Sequence, residues 1–500
     1  MIKVANVSFP TDHIRLLFGL KLRQLRIDKG LSVSELAQAS GMSVSYITEI
    51  EKGRKYPKTD KIAALANAMQ VDYDSLVSLK LSKKLEPISD LLRSNFLTEI
   101  PLELFGIDPA DLLELLAEAP DKVSAMIRTF MDIAQSYNMS VERLYLTMLR
   151  SYQEMYDNHF EDIEAAAGRF LTEFVPQGQE VTESLLTNLL RLQYNIEIHQ
   201  FDPAAQPELA QLRSVFRPES QVLHLNANLT TNQKTFILAR ELGFQYLSLK
   251  VRPCTYSWVE AESFEQILNN YKASYFAGAI LIRREQLVAR LEEFFRRDTW
   301  SSDDFLQLIA DFRSTPERFF YRLSNILPRD FGIDQLFFYR FNNTAGQNIF
   351  RLTKEMHLSR LQGPRGMVDE HHCRRWVALT SLQELALLQQ QKEFSGALCR
   401  AQLSQYVDTD RTYLIITVAH PYQPEVGQNM SVSMCFAVND ALRSKMRFLN
   451  NPANGITHRI VNEACERCGL FDCRERVAAP TVLQKRRQLE GMKRGMELLK

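Results

Sequence analysis

The stretch LSVSELAQASGMSVSYITEIEKG, Leu31 to Gly53, leaves its backbone little choice. Ser32 stands three residues before Glu35, the spacing of a capping box, and Leu36 and Ala37 follow as the first buried positions. Gly41 supplies the left-handed turn that ends this helix, and Ser43 caps a second one. Met42, Ile47 and Ile50 form a buried stripe on the second helix. Val44, Ser45, Thr48 and Glu49 then point outward from its N-terminal half. Two helices joined this tightly form a helix-turn-helix, whose second helix enters the major groove of DNA. Five short helices are predicted from Ile14 to Lys80.

Charge supports that orientation locally. The whole chain is neutral, with 60 basic and 60 acidic side chains, so no global field draws in nucleic acid. Between Ile14 and Lys80, eleven Lys/Arg face seven Asp/Glu, a net of +4. Lys52, Arg54, Lys55 and Lys58 cluster just past the second helix, where phosphates would lie. Through ELAQASGMSVSYITEIEKGRKYP the segment resembles the phage-repressor (XRE) helix-turn-helix family. That resemblance puts Val44, Ser45 and Glu49 at base-reading positions and makes Arg26 and Glu51 a structural ion pair.

At 500 residues the chain is too long for one core, so two to four domains are expected. No apolar run reaches the ~18 residues that span a bilayer, and MIKVANVSFPTDHIR lacks the apolar core of a signal peptide. Cytoplasmic residence with no membrane partner is the expectation, and the seven cysteines then read as thiols or metal ligands. Leu85 to Phe174 has helical periodicity, broken at Pro120. Within it, Glu154, Asp157, Glu161, Asp162 and Glu164 make YQEMYDNHFEDIE acidic, read as a solvated helix face rather than a cation site.

Residues 175 to 345 change to α+β character. Strand-like LLRLQYNIEIHQF and SQVLHLNANLT precede the helix TTNQKTFILARELGFQYLSL. A zinc helix of the His-Glu-x-x-His type presents two ligands one turn apart, with the glutamate as general base. Here Glu241 keeps the glutamate position, while Arg240 and Phe244 stand at the histidine positions. With the later helix FEQILNNYKASYFAGAIL, the layout resembles the ImmA/IrrE metallopeptidase family. Ala273-Ser274-Tyr275-Phe276-Ala277 matches a pattern that follows the third ligand in that family, and no carboxylate precedes it here. Arginine and phenylalanine bind no zinc, so a peptidase is disfavoured and Glu241 is predicted to pair with Arg240 or Lys272. Lys234, Arg240, Lys250 and Lys272 form a set that suits an anionic ligand.

CERCGLFDCRER places Cys465, Cys468 and Cys473 within nine residues. No Cys or His follows, so a fourth ligand must come from upstream. Cys373 in HHCRRW is the leading candidate, with His371 and His372 as substitutes, while Cys435 lies in an apolar strand. The uneven spacing plus one distant cysteine fits an iron–sulfur cluster on four thiolates, with zinc and no metal as the alternatives.

Taken together, these segments resemble the short-chain fatty acyl-CoA regulators, bacterial transcription factors with this domain order. Further matches are YRLSNILPRDFGIDQLFFYRFNNTAGQ, HHCRRW and CERCGLFDCRERVAAP. Arg374 and Arg375 depart from the Pro-Leu that usually follows the first cysteine. The resemblance implies an acyl-CoA effector and a [4Fe–4S] cluster on Cys373, Cys465, Cys468 and Cys473. A CoA pocket needs cations beside an apolar slot. Lys234, Arg240 and Lys272 are assigned to the first, and Tyr271, Tyr275 and Phe276 to the second.

The expected fold is multidomain, mostly α with α+β parts. It comprises a helix-turn-helix domain (10–80), a helical linker domain (85–174) and an ImmA/IrrE-like ligand-binding domain (175–345). A C-terminal regulatory domain with the cysteine cluster (346–480) and a basic helical tail (481–500) complete it. The expected function is a ligand-responsive transcription factor on a double-stranded DNA operator, working as a homodimer or higher homo-oligomer and not as an enzyme. A redox-responsive iron–sulfur factor without a metabolite is the alternative.

Overall fold

The computed structural model of the chain describes residues 11–78, 141–255, 263–357, 370–391, 396–407, 409–422 and 427–497. Residues 85–140 of the expected helical linker, with Pro120, lie outside the described residues. The chain forms two compact units, Met1–Leu146 with Glu262–Glu265, and Thr147–Ala261 with Gln266–Lys500.

The first unit opens with α1 (Thr11–Asp28), α2 (Val33–Ser40), α3 (Val44–Glu51), α4 (Thr59–Met69) and α5 (Tyr73–Val77). Each start and stop has a local cause. Ser32 accepts from the Glu35 amide and Glu35 accepts from the Ser32 amide, closing the capping box. Gly41 takes φ 68° after α2, and the Ser43 hydroxyl accepts from the Tyr46 amide at the start of α3. Phe18, Leu22, Leu36, Ile47, Ile50, Leu65 and Leu76 close the core. Gly19 lets α1 cross α3, since a Cβ there would stand 2.2 Å from the Ile50 carbonyl oxygen.

In the second unit, α6 (Val141–Met155), which starts in the first, meets α7 (Glu161–Phe174) at a sharp elbow. Asp157 and Asn158 there take φ 49° and 52°. After α8 (Glu183–Tyr194) comes a three-stranded sheet of β1 (Glu197–Phe201), β2 (Ser214–Arg217) and β3 (Val222–Asn226). Its order is β1-β3-β2, with β1 parallel and β2 antiparallel to β3. A Thr230/Gln233 capping box starts α9 (Thr231–Tyr246), which carries the damaged zinc motif. It crosses α10 (Phe264–Leu281) at Gly243, where a Cβ would lie 2.9 Å from the Ala273 carbonyl oxygen.

Three helices, α11 (Arg284–Phe295), α12 (Ser302–Asp311) and α13 (Pro316–Ile326), cover one face of a six-stranded sheet. The strands are β4 (Leu336–Thr344), β5 (Phe350–His357), β6 (Leu398–Tyr406), β7 (Thr412–Pro421), β8 (Gln428–Ala437) and β9 (Thr457–Val461). Their order is β5-β4-β8-β7-β6-β9, antiparallel except for the β6–β9 pair. On β4, Leu336 and Phe338 join the core under those helices. Phe337, Tyr339 and Phe341 join a second core under α14 (Val377–Gln390). Both faces are covered, and β7 and β8 are buried along almost their whole length. The sequence boundary at 345/346 falls between β4 and β5, which are hydrogen-bonded neighbours in one sheet. A short helix, α15 (Asp440–Lys445), and a longer one, α16 (Thr481–Glu497), are the last two described helices. Among the described residues, no helix is long and apolar enough to cross a membrane.

Candidate nucleic-acid interface and candidate metal centre

On α3, Ile47 and Ile50 are fully buried while Val44 and Ser45 are exposed, and Thr48 and Glu49 are partly so. Thr48 donates its hydroxyl to the Val44 carbonyl at 2.9 Å. Glu49 lies 3.5 Å from Arg54, a partner the sequence did not indicate. Lys55 is exposed, with its ammonium 5.9 Å from the centre of the Tyr46 ring. The orientation of this face is fixed from behind. Arg26 spans to Glu51 through two bonds of 2.6 and 3.0 Å and donates a third to the Leu31 carbonyl at 2.8 Å. Expected from the resemblance alone, that pair ties α1 to the end of α3.

The IrrE-like helix corrects one expectation. Glu241 is fully buried, but its partner is Arg252, which donates to both carboxylate oxygens. Arg252 lies between the rings of Phe216 and Phe244, 4.1 and 4.0 Å from their centres. Arg240 turns away to Asn270 at 3.1 Å and Ser214 at 3.4 Å. A buried carboxylate needs a complete partner, and a planar guanidinium satisfies both its oxygens. Arg252 comes from the loop eleven residues on, and no spacing rule would have singled it out.

The other residues assigned to a ligand are placed as follows. Lys234 on α9 and Lys272 on α10 keep part of their surface exposed. Tyr271 donates to Asn158 at 2.5 Å, and Tyr275 donates to Glu164 at 2.8 Å. Phe276 is fully buried against Phe170 and Tyr246. These three side chains are packed against α7 and the elbow before it.

The cysteines converge. Cys373, just ahead of α14, and Cys465, Cys468 and Cys473, beyond β9, line one pocket with about 310 Å³ of atom-free space, its open mouth included. Backbone pairing makes the junction. The Cys465 amide donates to the His371 carbonyl at 2.9 Å, and the Cys373 amide donates to the Glu463 carbonyl at 3.2 Å. Trp376 adds an indole bond to the Asn462 carbonyl at 2.8 Å. His371 is taken by Glu466, at 2.7 Å. The cysteine loop itself closes around Arg476. Its guanidinium donates to the carbonyls of Cys465 (2.8 Å), Cys468 (3.0 Å), Leu470 (2.9 Å) and Ala478 (3.2 Å). Sequence reasoning did not identify Arg476, because nothing in CRER distinguishes a loop staple from a surface arginine.

The pocket wall is rich in cations. Arg374, Arg375 and Arg476 line the pocket against a single carboxylate, Glu475, which itself meets Arg459 at 3.2 Å. Burial pushes the Cys373 thiol up, opposed by backbone hydrogen bonds at Asn462 and Arg375 that favour the thiolate. The remaining cysteines lie apart from this pocket. Burial raises the Cys399 thiol to about 12 and the Cys435 thiol well above its ordinary value, and Cys254 is exposed. Among the described residues, no three His, Cys, Asp or Glu side chains are drawn together as a ready single-ion cage. The four cysteines line one pocket whose walls also carry Arg374, Arg375 and Arg476.

Comparison with known proteins agrees with this division. Residues 17–79 match the helix-turn-helix domain family, and residues 194–324 match the IrrE N-terminal-like domain family. The propionyl-CoA carboxylase regulator of Cereibacter sphaeroides is 25% identical over 340 residues, covering 62% of this chain and 65% of that protein. The HTH-type transcriptional regulator PrpR of Mycobacterium tuberculosis is 24% identical over 291 residues, covering 54% of this chain and 57% of that protein. The match thus spans less than two thirds of either relative's length. Control protein C.BamHI of Bacillus amyloliquefaciens is 37% identical over 68 residues, which is 13% of this chain and 84% of that protein.

Proposed function

We infer that this chain, which belongs to the XRE-type helix-turn-helix regulators that carry an IrrE-like domain, binds a double-stranded DNA operator and controls transcription in the cytoplasm without catalysing a reaction. Its signal is a short-chain acyl-CoA, and an iron–sulfur cluster resides in its C-terminal domain. The DNA half is supported by the exposed Val44 and Ser45 on a capped α3 with cations beyond it. Ser45, Glu49 and their neighbours meet base edges, while Lys52, Arg54 and Lys55 meet phosphates. Operators of this class are paired half-sites, so two copies bind together.

The observation that carries the cofactor reading is the meeting of Cys373 with Cys465, Cys468 and Cys473 in one cation-walled pocket. These four thiolates hold the group, Arg476 holds the loop in its binding shape, and Arg374 and Arg375 balance the negative charge. When bound, such a cluster supplies a one-electron, oxidant-labile centre. The partial exposure of Cys473 favours a second reading, in which oxidation at that corner is itself the signal.

The acyl-CoA reading rests on the resemblance and on a relative named for propionyl-CoA carboxylase. Lys234 and Lys272 are the cations proposed for its phosphates. Ligand binding then shifts the equilibrium between operator-competent and incompetent pairs, a coupling between sites.

Anaerobic purification with iron and sulfide assay and a visible spectrum tests the cofactor. Cys373→Ser is expected to lose the iron while Cys254→Ser keeps it; zinc, or equal iron in both variants, refutes the assignment. Isothermal titration of the metal-loaded protein with acetyl-, propionyl- and butyryl-CoA tests the effector, and no heat with any of them refutes it.

A further inference from the structure

The C-terminal helix α16 is mostly exposed: among residues 481–497 none is buried and only Leu483 is intermediate. Gly491 and Gly495 each cost about 1 kcal/mol of helix propensity relative to alanine. A 17-residue helix with two interior glycines and no buried residue is marginal in water. Its surface is nevertheless patterned. At the helical period, Val482, Leu489, Met492 and Met496 fall on one side, exposed by 41, 47, 52 and 67%. Lys485 falls within that side, Arg486 and Lys493 border it, Arg486 is partly engaged by Glu490 at 2.9 Å, and Arg487 lies over the Phe471 ring.

A surface of opposite character occurs at the α6–α7 elbow. Met155 and Tyr156 are 47 and 46% exposed there. Tyr156 is held outward against Tyr152 and Phe160, with ring centres 4.9 and 5.5 Å away. Around them stand the exposed carboxylates Glu154, Asp157, Glu161 and Asp162. Glu161 is partly engaged by His159 at 3.1 Å, which leaves Glu154, Asp157 and Asp162 as the main rim. The elbow is rigid, since Asn158 beneath it is buried and bonded to Ser324, Asn325 and Tyr271.

We propose that α16 of one copy docks on the α6–α7 elbow of a second copy, stripe against Met155 and Tyr156, cations against the acidic rim. Among the described residues both surfaces are exposed. Two reciprocal contacts close a two-fold dimer. DNA as the occupant would use the lysines and arginines but has no use for the aligned Val482, Leu489, Met492 and Met496. The apolar centre contributes burial, and the charged rim selects the partner. The proposal deepens the two-copy reading above by giving it a contact that needs no DNA.

Sedimentation velocity of the full chain without DNA tests it. A triple reversal on the helix (K485E, R486E, K493E) and one on the elbow (E154K, D157K, D162K) should each weaken self-association at least about tenfold. Combining the six should restore it, with circular dichroism unchanged throughout. A wild-type monomer, indifference to either reversal, or failure of the combination to restore association overturns the proposal. Loss of DNA affinity in the helix variant with unchanged sedimentation also overturns it, in favour of a DNA contact. Operator binding and iron content, read on the same proteins, stand or fall separately.

Discussion

Arg476 carries the sharpest prediction, because one side chain organises the whole cysteine loop. Its guanidinium makes four bonds of 2.8–3.2 Å to main-chain carbonyls, three of them within or next to the Cys-x2-Cys segment. Hydrogen bonds from a charged donor contribute about 1.5–3 kcal/mol each, but four that share one group are not additive. Arg476 is half-buried, which lowers the sum further. Replacement by glutamine should therefore cost about 3–5 kcal/mol of local order. At 1.4 kcal/mol per decade, that raises loop opening by about two to four orders of magnitude. Amide hydrogen exchange over residues 465–478 reads this directly, and iron content reads its consequence. Arg476→Lys should fall between, since an ammonium keeps the charge but lacks the planar fork that reaches several carbonyls at once. Wild-type protection of that peptide in Arg476→Gln, or unprotected loop amides with full iron, would refute the staple.

Three further outcomes are expected. Glu51→Ala leaves Arg26 buried without its partner, so the first domain should lose about 3–5 kcal/mol, seen as earlier exchange of α1 and α3 amides. Lys55→Ala should lower the slope of log affinity against log salt by about one without changing sequence preference, while Ser45→Ala should change preference at a single base position. Both are read by fluorescence anisotropy on an operator selected in vitro. Burial pushes the Glu164 carboxyl up, but Arg322 and the Tyr275 hydroxyl outweigh it and hold it below the usual value. Being depressed in the folded state, it contributes stability that is present above the unfolded value of about 4.3 and lost as pH falls through the folded value. The melting gap between wild type and Glu164→Gln should thus shrink below about pH 4, and a constant gap down to pH 3 would contradict the pairing.

Legibility followed the range of the interactions. The capping box at Ser32 and the turn at Gly41 are set by residues a few positions apart, and both were readable. Cys373 joining three cysteines about a hundred residues away was reachable only by counting ligands and looking upstream. The bridge between His372 and Ala464 that brings them together has no sequence signal. The β4–β5 hairpin crosses a boundary drawn at 345/346 because NNTAGQN was read as the end of a domain rather than as a turn. Arg322 was unmarked in the sequence, yet it is buried at 1% exposure and bonded to Glu164 from 158 residues away. Charge pairing at such separations depends on packing that no local pattern encodes.

The damaged zinc helix shows the same principle at its most consequential. Losing both histidines removes the metal chemistry, but it also leaves a glutamate in the middle of a buried helix face, where an unpaired carboxylate is severely destabilising. The fold keeps Glu241 at 0% exposure because a second substitution answers the first. Phe244, at a histidine position, supplies a ring on which the Arg252 guanidinium stacks, and Phe216 on β2 supplies the other. Arg252 thereby brings a positive charge to Glu241 with both oxygens satisfied, and Gln245 adds a third bond at 3.2 Å. Arg240, at the other histidine position, is held by Ser214 on β2 and Asn270 on α10, so it links the sheet to the second helix. Each replacement thus has a structural task in holding the domain together.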